Sequence, residues 1–208
     1  SWDLRFESVS KFDINKRNQV LKILIIRLSS LGDVVLTTPV PRLLRKKFPN
    51  SEIHFITKSE YSDIYINNNN VNKVINLEQN LKKTIKFLKS ERYDLVIDLH
   101  NNLRSNIIKY SLSVKHLTYN KQSFARWLFS NLKIKLVIKH ITKSYIETLN
   151  NLDIEDDDKG LDLFLHEKDL YDINKMPIEF RNGFYVLVLG GKYKTKRLPV
   201  DKSIELCD

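Results

Sequence analysis

Residues 22–39, KILIIRLSSLGDVVLTTP, decide how this chain reads. An apolar, β-branched run from Lys22 to Leu28 breaks at Ser29-Ser30-Leu31-Gly32-Asp33, and a helix-compatible pattern follows. Strand, tight turn and helix start, in that order, open a parallel α/β sheet, in which ligands bind just outside the carboxyl ends of the strands. Ser29, Ser30, Gly32 and Asp33 therefore lie where a site is expected. A second junction of the same kind appears where Tyr185 to Leu189 runs into Gly190-Gly191 and a lysine-rich loop ending at Pro199. Two such junctions predict two sheet domains, with the second only begun.

Outward from the first junction, strand and helix signals alternate. Val34 to Phe48 predicts a helix that Pro39 and Pro41 bend or delay and Pro49-Asn50 stops. Its basic end, Arg42, Arg45, Lys46 and Lys47, suits the helix dipole and reads as a solvated helix end. A strand over Glu52–Thr57, a helix near Tyr61–Ile66, a strand over Lys73–Leu77 and an amphipathic helix over Leu81–Ser90 follow. Tyr93 to Leu99 is nearly continuous in apolar character, as a strand covered on both faces should be. Helix 105–112, strand 114–118, helices 124–132 and 138–152 and strand 161–165 complete the pattern. The expected architecture is a doubly wound, Rossmann-like parallel sheet over residues 21–165, after an extension at 1–20. A linker at 166–182 then leads to the first strand and helix of a second Rossmann-like domain at 183–208.

The 208 residues are 42% apolar, ample for a packed core. No apolar run approaches the roughly 20 residues that cross a bilayer as a helix. Cys207 is the single cysteine, so no internal disulfide forms. The net charge of +10 favours an anionic partner such as a phosphorylated small molecule or an acidic membrane face. Nucleic acid is not expected: zinc-ligand spacing and RNA-recognition aromatics are missing, and lysines are spread through nearly every segment. A start at Ser1 and a single methionine, Met176, read as a fragment or a trimmed chain.

Asp33 reads either as a helix N-cap or as a general base at the strand-helix turn, and a capping carboxylate keeps lone pairs for both. The loop Gly190-Gly191-Lys192-Tyr193-Lys194-Thr195-Lys196 offers close backbone approach and fixed positive charge ahead of a helix start near Val200. Those are the ingredients of a diphosphate site, although a solvent-facing basic loop has the same composition, and neither GxxxxGK[ST] nor GxGxxG occurs. His140 reads as a helix-entry residue or as a donor to a substrate phosphate or sugar hydroxyl. Asn101 and Arg104 end a strand and are placed to meet a polar ligand or to cap and be solvated. Asp98, inside an apolar strand, reads as structural.

Four segments, RLSSLGDVVLTTP (27–39), YDLVIDLHNNLRS (93–105), KHITKSY (139–145) and GGKYKTKRLP (190–199), together resemble the heptosyltransferases of glycosyltransferase family 9, in order and approximate spacing. The last looks like its Bacteroidetes-type members. The resemblance implies a GT-B architecture, two Rossmann-like domains facing a cleft. It also implies transfer of heptose from a nucleotide-sugar donor, ADP-heptose, to a lipid-linked phosphorylated saccharide acceptor of lipopolysaccharide, with inversion and with neither metal nor cofactor. Asp33 matches the family's base, and Lys196, preceded by Thr195, matches its donor-phosphate lysine, with Gly190, Gly191 and Lys192 in the same loop. Ser29, Ser30 and Gly32 would shape the turn and, with Asn101, Arg104 and His140, meet the acceptor. The implied setting is cytoplasmic, peripheral to the inner membrane. Leu198 replaces the usual tryptophan, and Ser144 replaces an arginine, leaving Lys143 as a substitute. The family's later GPxH-like segment is not among these residues, so the expectation is that the fragment alone is inactive. The alternative is a noncatalytic α/β domain that binds a phosphorylated ligand or a protein partner, with Asp33 only a cap.

Overall fold

The computed structural model describes residues 20–120, 140–186 and 197–207. The chain divides into two compact units, Ser1–Leu165 and His166–Asp208. In the first, strands β1 (Lys22–Ile26), β2 (Glu52–Thr57), β3 (Lys73–Asn76), β4 (Leu95–Asp98) and β5 (Lys115–Thr118) form one parallel sheet in the order β3-β2-β1-β4-β5. Helices α1 (Leu31–Val35), α2 (Pro39–Lys47), α3 (Asp63–Ile66), α4 (Leu81–Ser90), α5 (Leu103–Leu112) and α6 (Ile141–Ile146) connect and cover it. Strand β1 is central, with Ile25 aligned to Phe55 of β2 on one side and to Ile97 of β4 on the other.

The sequence of β1 explains its place. Side chains alternate between the two faces of a strand, and here both faces are covered. Ile23 and Ile25 pack with Val40 and Leu44 of α2 and with Tyr145 and Ile146 of α6. Leu24 and Ile26 pack on the opposite face with Leu88 of α4 and Ile108 of α5. All four are fully buried, and each contributes about 1.5–3 kcal/mol relative to exposure. Polar residues return only past Ile26, at the carboxyl end.

Several expectations change. The helix expected over 34–48 is two helices: the Thr37 and Thr38 hydroxyls donate to the Val34 and Val35 carbonyls at 2.7 and 2.8 Å, and Pro39, lacking an N–H, starts α2. The helix expected over 138–152 is α6 followed by a 3₁₀ segment, Glu147–Leu152. No strand forms at 161–165, where Leu161, Leu163 and Leu165 are exposed. That segment is anchored instead by polar contacts: the Asp162 amide donates to Thr38 Oγ1 at 3.0 Å, and Arg42 pairs with Asp157 at 2.8 Å and with Asp162. The basic end of α2 is thus partly internal, since Arg45 also donates to the Pro49 and Ser51 carbonyls at 2.8 and 2.6 Å.

In the second unit, the described residues form short 3₁₀ turns at Glu167–Asp169, Ile173–Lys175 and Ile178–Phe180, and helix α7 (Val200–Cys207). Tyr185 and Val186, expected to begin a strand, are exposed and join no ladder. The rest of that strand, the loop at 190–196, the helix at 124–132 and the extension through residue 19 lie outside the described residues.

Candidate functional site at the carboxyl ends of β1 and β4

In the order 3-2-1-4-5 the chain winds first to one side of β1 and then to the other, so a crevice opens at the carboxyl ends of β1 and β4. Arg27, the first residue past β1, bridges that point. Its Nη1 donates to the Leu99 carbonyl beyond β4 at 2.7 Å, and its Nη2 pairs with Asp33 Oδ2 at 2.8 Å. The guanidinium also lies 5.4 Å from the ring centre of Tyr145 on α6. Only 7% of Arg27 is exposed, so these contacts are largely shielded from water.

Asp33 is not the N-cap. Ser30 caps α1 and Asp33 is the third helical residue, reaching back so that the Ser30 amide donates to Oδ2 at 3.3 Å. The Ser30 hydroxyl donates to the same oxygen at 2.9 Å. Three donors converge on Oδ2, while Oδ1 accepts no hydrogen bond among the described residues. Partial burial pushes the carboxyl upward, but the Ser30 hydroxyl, the charge of Arg27 and the Ser30 amide outweigh it and hold the group below the ordinary carboxylate range. The result is a half-buried carboxylate, ionised at neutral pH, with one oxygen anchored and the other open to accept a proton. Ser29 is half-buried and precedes the cap. Gly32 is not required by this chain's own packing, since a Cβ there would meet nothing within 4 Å.

The loop after β4 is held from beneath by Asp98, which is fully buried. Its Oδ1 accepts from the amides of His100 and Asn101 at 2.9 and 2.8 Å, and its Oδ2 accepts from Ser105 Oγ at 3.0 Å and Lys109 Nζ at 3.3 Å. Lys109 also donates to Thr118 Oγ1 at 2.8 Å. Asn101 adopts a left-handed backbone (φ 47°), tolerable for asparagine, and its Nδ2 donates to the Tyr119 carbonyl at 2.9 Å. Asp98 is structural, as expected, and Asn101 is itself committed to the scaffold. Arg104 is exposed on the first turn of α5. His140 is exposed and caps α6, accepting from the Thr142 amide at 3.4 Å, which fits its helix-entry reading.

Lys143 lines a cavity of about 920 Å³ with Lys46, Lys47 and the acidic run Glu155–Asp158, and that lining includes none of Ser29, Ser30, Asp33, Asn101, Arg104 and His140. Ser144 is buried in α6. Glu52, His54 and Glu91 bring potential metal-ligand atoms within 4.8 Å of one another, but the Lys22 ammonium already bridges the two carboxylates at 3.1 and 2.6 Å. Among the described residues, no helix is long and apolar enough to cross a membrane. Thr195, Lys196, Gly190, Gly191 and Lys192 lie outside the described residues.

Sequence reasoning missed Arg27. Its signal is present all the same: it is the charged residue that interrupts the apolar run KILIIRL at the carboxyl end of the strand.

This frame, a doubly wound parallel sheet with a carboxylate-bearing turn at its switch point, is that of the Rossmann-like α/β domains that bind polar ligands at their strand ends. No family model matches the chain. In sequence it is similar to lipopolysaccharide heptosyltransferase 1 of Campylobacter coli, with 30% identity over 109 residues, covering 50% of this chain and 32% of that protein. In fold it is similar to the glycosyl transferase family 9 protein of Veillonella parvula, with a TM-score of 0.66 at 21% identity over 90% of this chain and 59% of the other. Likewise it resembles the ADP-heptose lipopolysaccharide heptosyltransferase II of E. coli, with a TM-score of 0.55 at 19% identity over 71% and 48% of the two chains. The chain is thus similar to the heptosyltransferases of glycosyltransferase family 9, and it spans less than two thirds of each of these proteins.

Proposed function

We propose that this chain supplies the acceptor-side domain and the base of a glycosyltransferase. The enzyme moves heptose or a related sugar from a nucleotide-sugar donor to a lipopolysaccharide core acceptor with inversion. The observation that carries the reading is the geometry of Asp33: ionised, pinned through Oδ2 at the carboxyl end of β1, with Oδ1 open. In the reaction, Oδ1 takes the proton of the acceptor hydroxyl as that oxygen attacks the anomeric carbon. The bond between that carbon and the diphosphate breaks, and the nucleoside diphosphate leaves. Lys196, Thr195 and Lys192, with the Gly190-Gly191 backbone, would neutralise the departing diphosphate, so that lysine charge serves in place of a metal ion. The names of the similar proteins support ADP-heptose as donor and lipopolysaccharide as acceptor. The net charge of +10 supports a phosphorylated acceptor and contact with an anionic membrane face at the cytoplasmic side of the inner membrane.

The test is transfer from ADP-heptose to a Kdo–lipid A acceptor, by this chain and by the same chain extended through a complete second sheet domain. Heptosylated product from the extended protein supports the reading. No product with ADP-heptose or other nucleotide sugars overturns it and favours a noncatalytic binding domain.

A further inference from the structure

From the geometry at the end of β1 we infer that Arg27 is the positioning residue of the site, fixing the orientation of the Asp33 carboxylate so that Oδ1 alone faces the acceptor hydroxyl. This inference rests on the glycosyl-transfer reading of Asp33. The guanidinium is held at both ends. Nη1 donates to the Leu99 carbonyl at the end of β4, and the ring of Tyr145 lies 5.4 Å away on the α6 side. With its position set by β1, β4 and α6, Nη2 meets Oδ2 at 2.8 Å, the same oxygen that accepts from the Ser30 hydroxyl and amide. A planar fork can serve a carbonyl and a carboxylate at once in fixed geometry, which a point charge cannot.

Stability does not account for an arginine here. Nε is buried without a hydrogen-bond partner among the described residues, a defect that an apolar side chain of similar length would not carry. Buried ion pairs are poor stabilisers compared with well-packed apolar groups. What the arginine adds, and a methionine would not, is direction and charge beside Asp33. Among the described residues, Arg27 is the charged side chain in contact with Asp33, while the Ser30 contacts are uncharged and Tyr145 faces the guanidinium.

The test uses Arg27→Gln and Arg27→Lys, each checked for folding by thermal melt, with two readouts. The first is the titration of the Asp33 side-chain carboxyl by carbon-13 NMR in the 208-residue chain, which needs no activity. In Arg27→Gln the Asp33 pKa is expected to rise, as the guanidinium charge and its hydrogen bond are lost, and in Arg27→Lys to return toward the parent value. The second is the pH profile of transfer in the extended protein. In Arg27→Gln the acidic limb of kcat/KM moves up with the NMR value, and kcat at neutral pH falls about tenfold with little change in KM, although Asp33 stays ionised. Arg27→Lys recovers the limb but less than half of the lost rate. An Asp33 titration that is the same in the parent chain and both variants overturns the inference, as does an Arg27→Gln enzyme with parental kcat. Absence of transfer in the parent protein overturns the functional reading instead and leaves the NMR result to decide the Arg27–Asp33 coupling.

Discussion

Replacing Asp98 by alanine removes a fully buried carboxylate that four donors share. The worst of the damage is to Lys109, only 3% exposed, whose ammonium would keep, among the described residues, the Thr118 hydroxyl as a hydrogen-bond acceptor and the face of Tyr110 but no countercharge. Removing one member of a buried ion pair costs about 3–5 kcal/mol, because the other charge is stranded out of water. The two backbone amides and the Ser105 hydroxyl lose their acceptor as well. Lys109→Met is the milder change: Asp98 keeps three uncharged donors, and the methionine stem fills the space, for a loss of about 1–3 kcal/mol. Urea unfolding followed by far-UV circular dichroism separates the two. With a slope of about 2 kcal/mol/M, Asp98→Ala moves the midpoint down by about 2 M, and Lys109→Met by about half of that. Adding Lys109→Met to Asp98→Ala should restore part of the loss, since no stranded ammonium remains. An Asp98→Ala midpoint within 0.5 M of the parent, or a double variant worse than the sum of the singles, would refute the reasoning.

Two further outcomes follow from the charges. Ammonium groups of Lys22 and Lys73, at 2.6 and 2.7 Å, hold the Glu91 carboxyl down at about 2, and burial pushes the His54 imidazole below its ordinary value. Both shifts make the unfolded chain bind more protons. Stability should therefore fall as pH drops below about 6.5 through His54, and again from about 4.3 toward 2 through Glu91. Urea midpoints at pH 7, 5 and 3.5 check this, and Glu91→Gln should flatten the lower segment. Arg42→Ala removes the bidentate clamp on Asp157 and the pairing with Asp162. It should cost about 2 kcal/mol and speed proteolytic cleavage within residues 155–165, read by mass spectrometry of a limited digest.

The centre of the sheet was legible because parallel strands covered on both faces are written as nearly continuous apolar runs, as in β1 and β4; β2 falls on Glu52–Thr57 and α4 on Leu81–Ser90, as the pattern predicts. The misreadings have physical causes. Apolar periodicity runs through Thr37-Thr38-Pro39, so the break between α1 and α2, which rests on hydroxyl-to-carbonyl bonds, is invisible to it. Leu161, Leu163 and Leu165 alternate like a strand, but alternation does not report whether a neighbouring strand has a free edge. At the site, Asp33 was legible from its place in the first turn. Its role as third helical residue, with Ser30 as the cap, depends on local backbone geometry that composition does not set. Arg27 was missed because its partner Leu99 lies 72 residues away and is brought to it only by the pairing of β1 with β4.

The central claim, that Asp33 is the base, is tested most directly by Asp33→Asn in the protein extended through its second domain, with transfer from ADP-heptose as the readout. The amide keeps an oxygen for the Ser30 and Arg27 donors but removes the negative charge beside the buried Arg27 guanidinium, so stability from urea unfolding should fall by about 1–3 kcal/mol while the chain still folds. The account predicts a kcat lower by about 10²-fold or more, because a general base is lost while binding and fold remain. A variant that folds like the parent and turns over within twofold of it would contradict the account and reduce Asp33 to part of a helix cap.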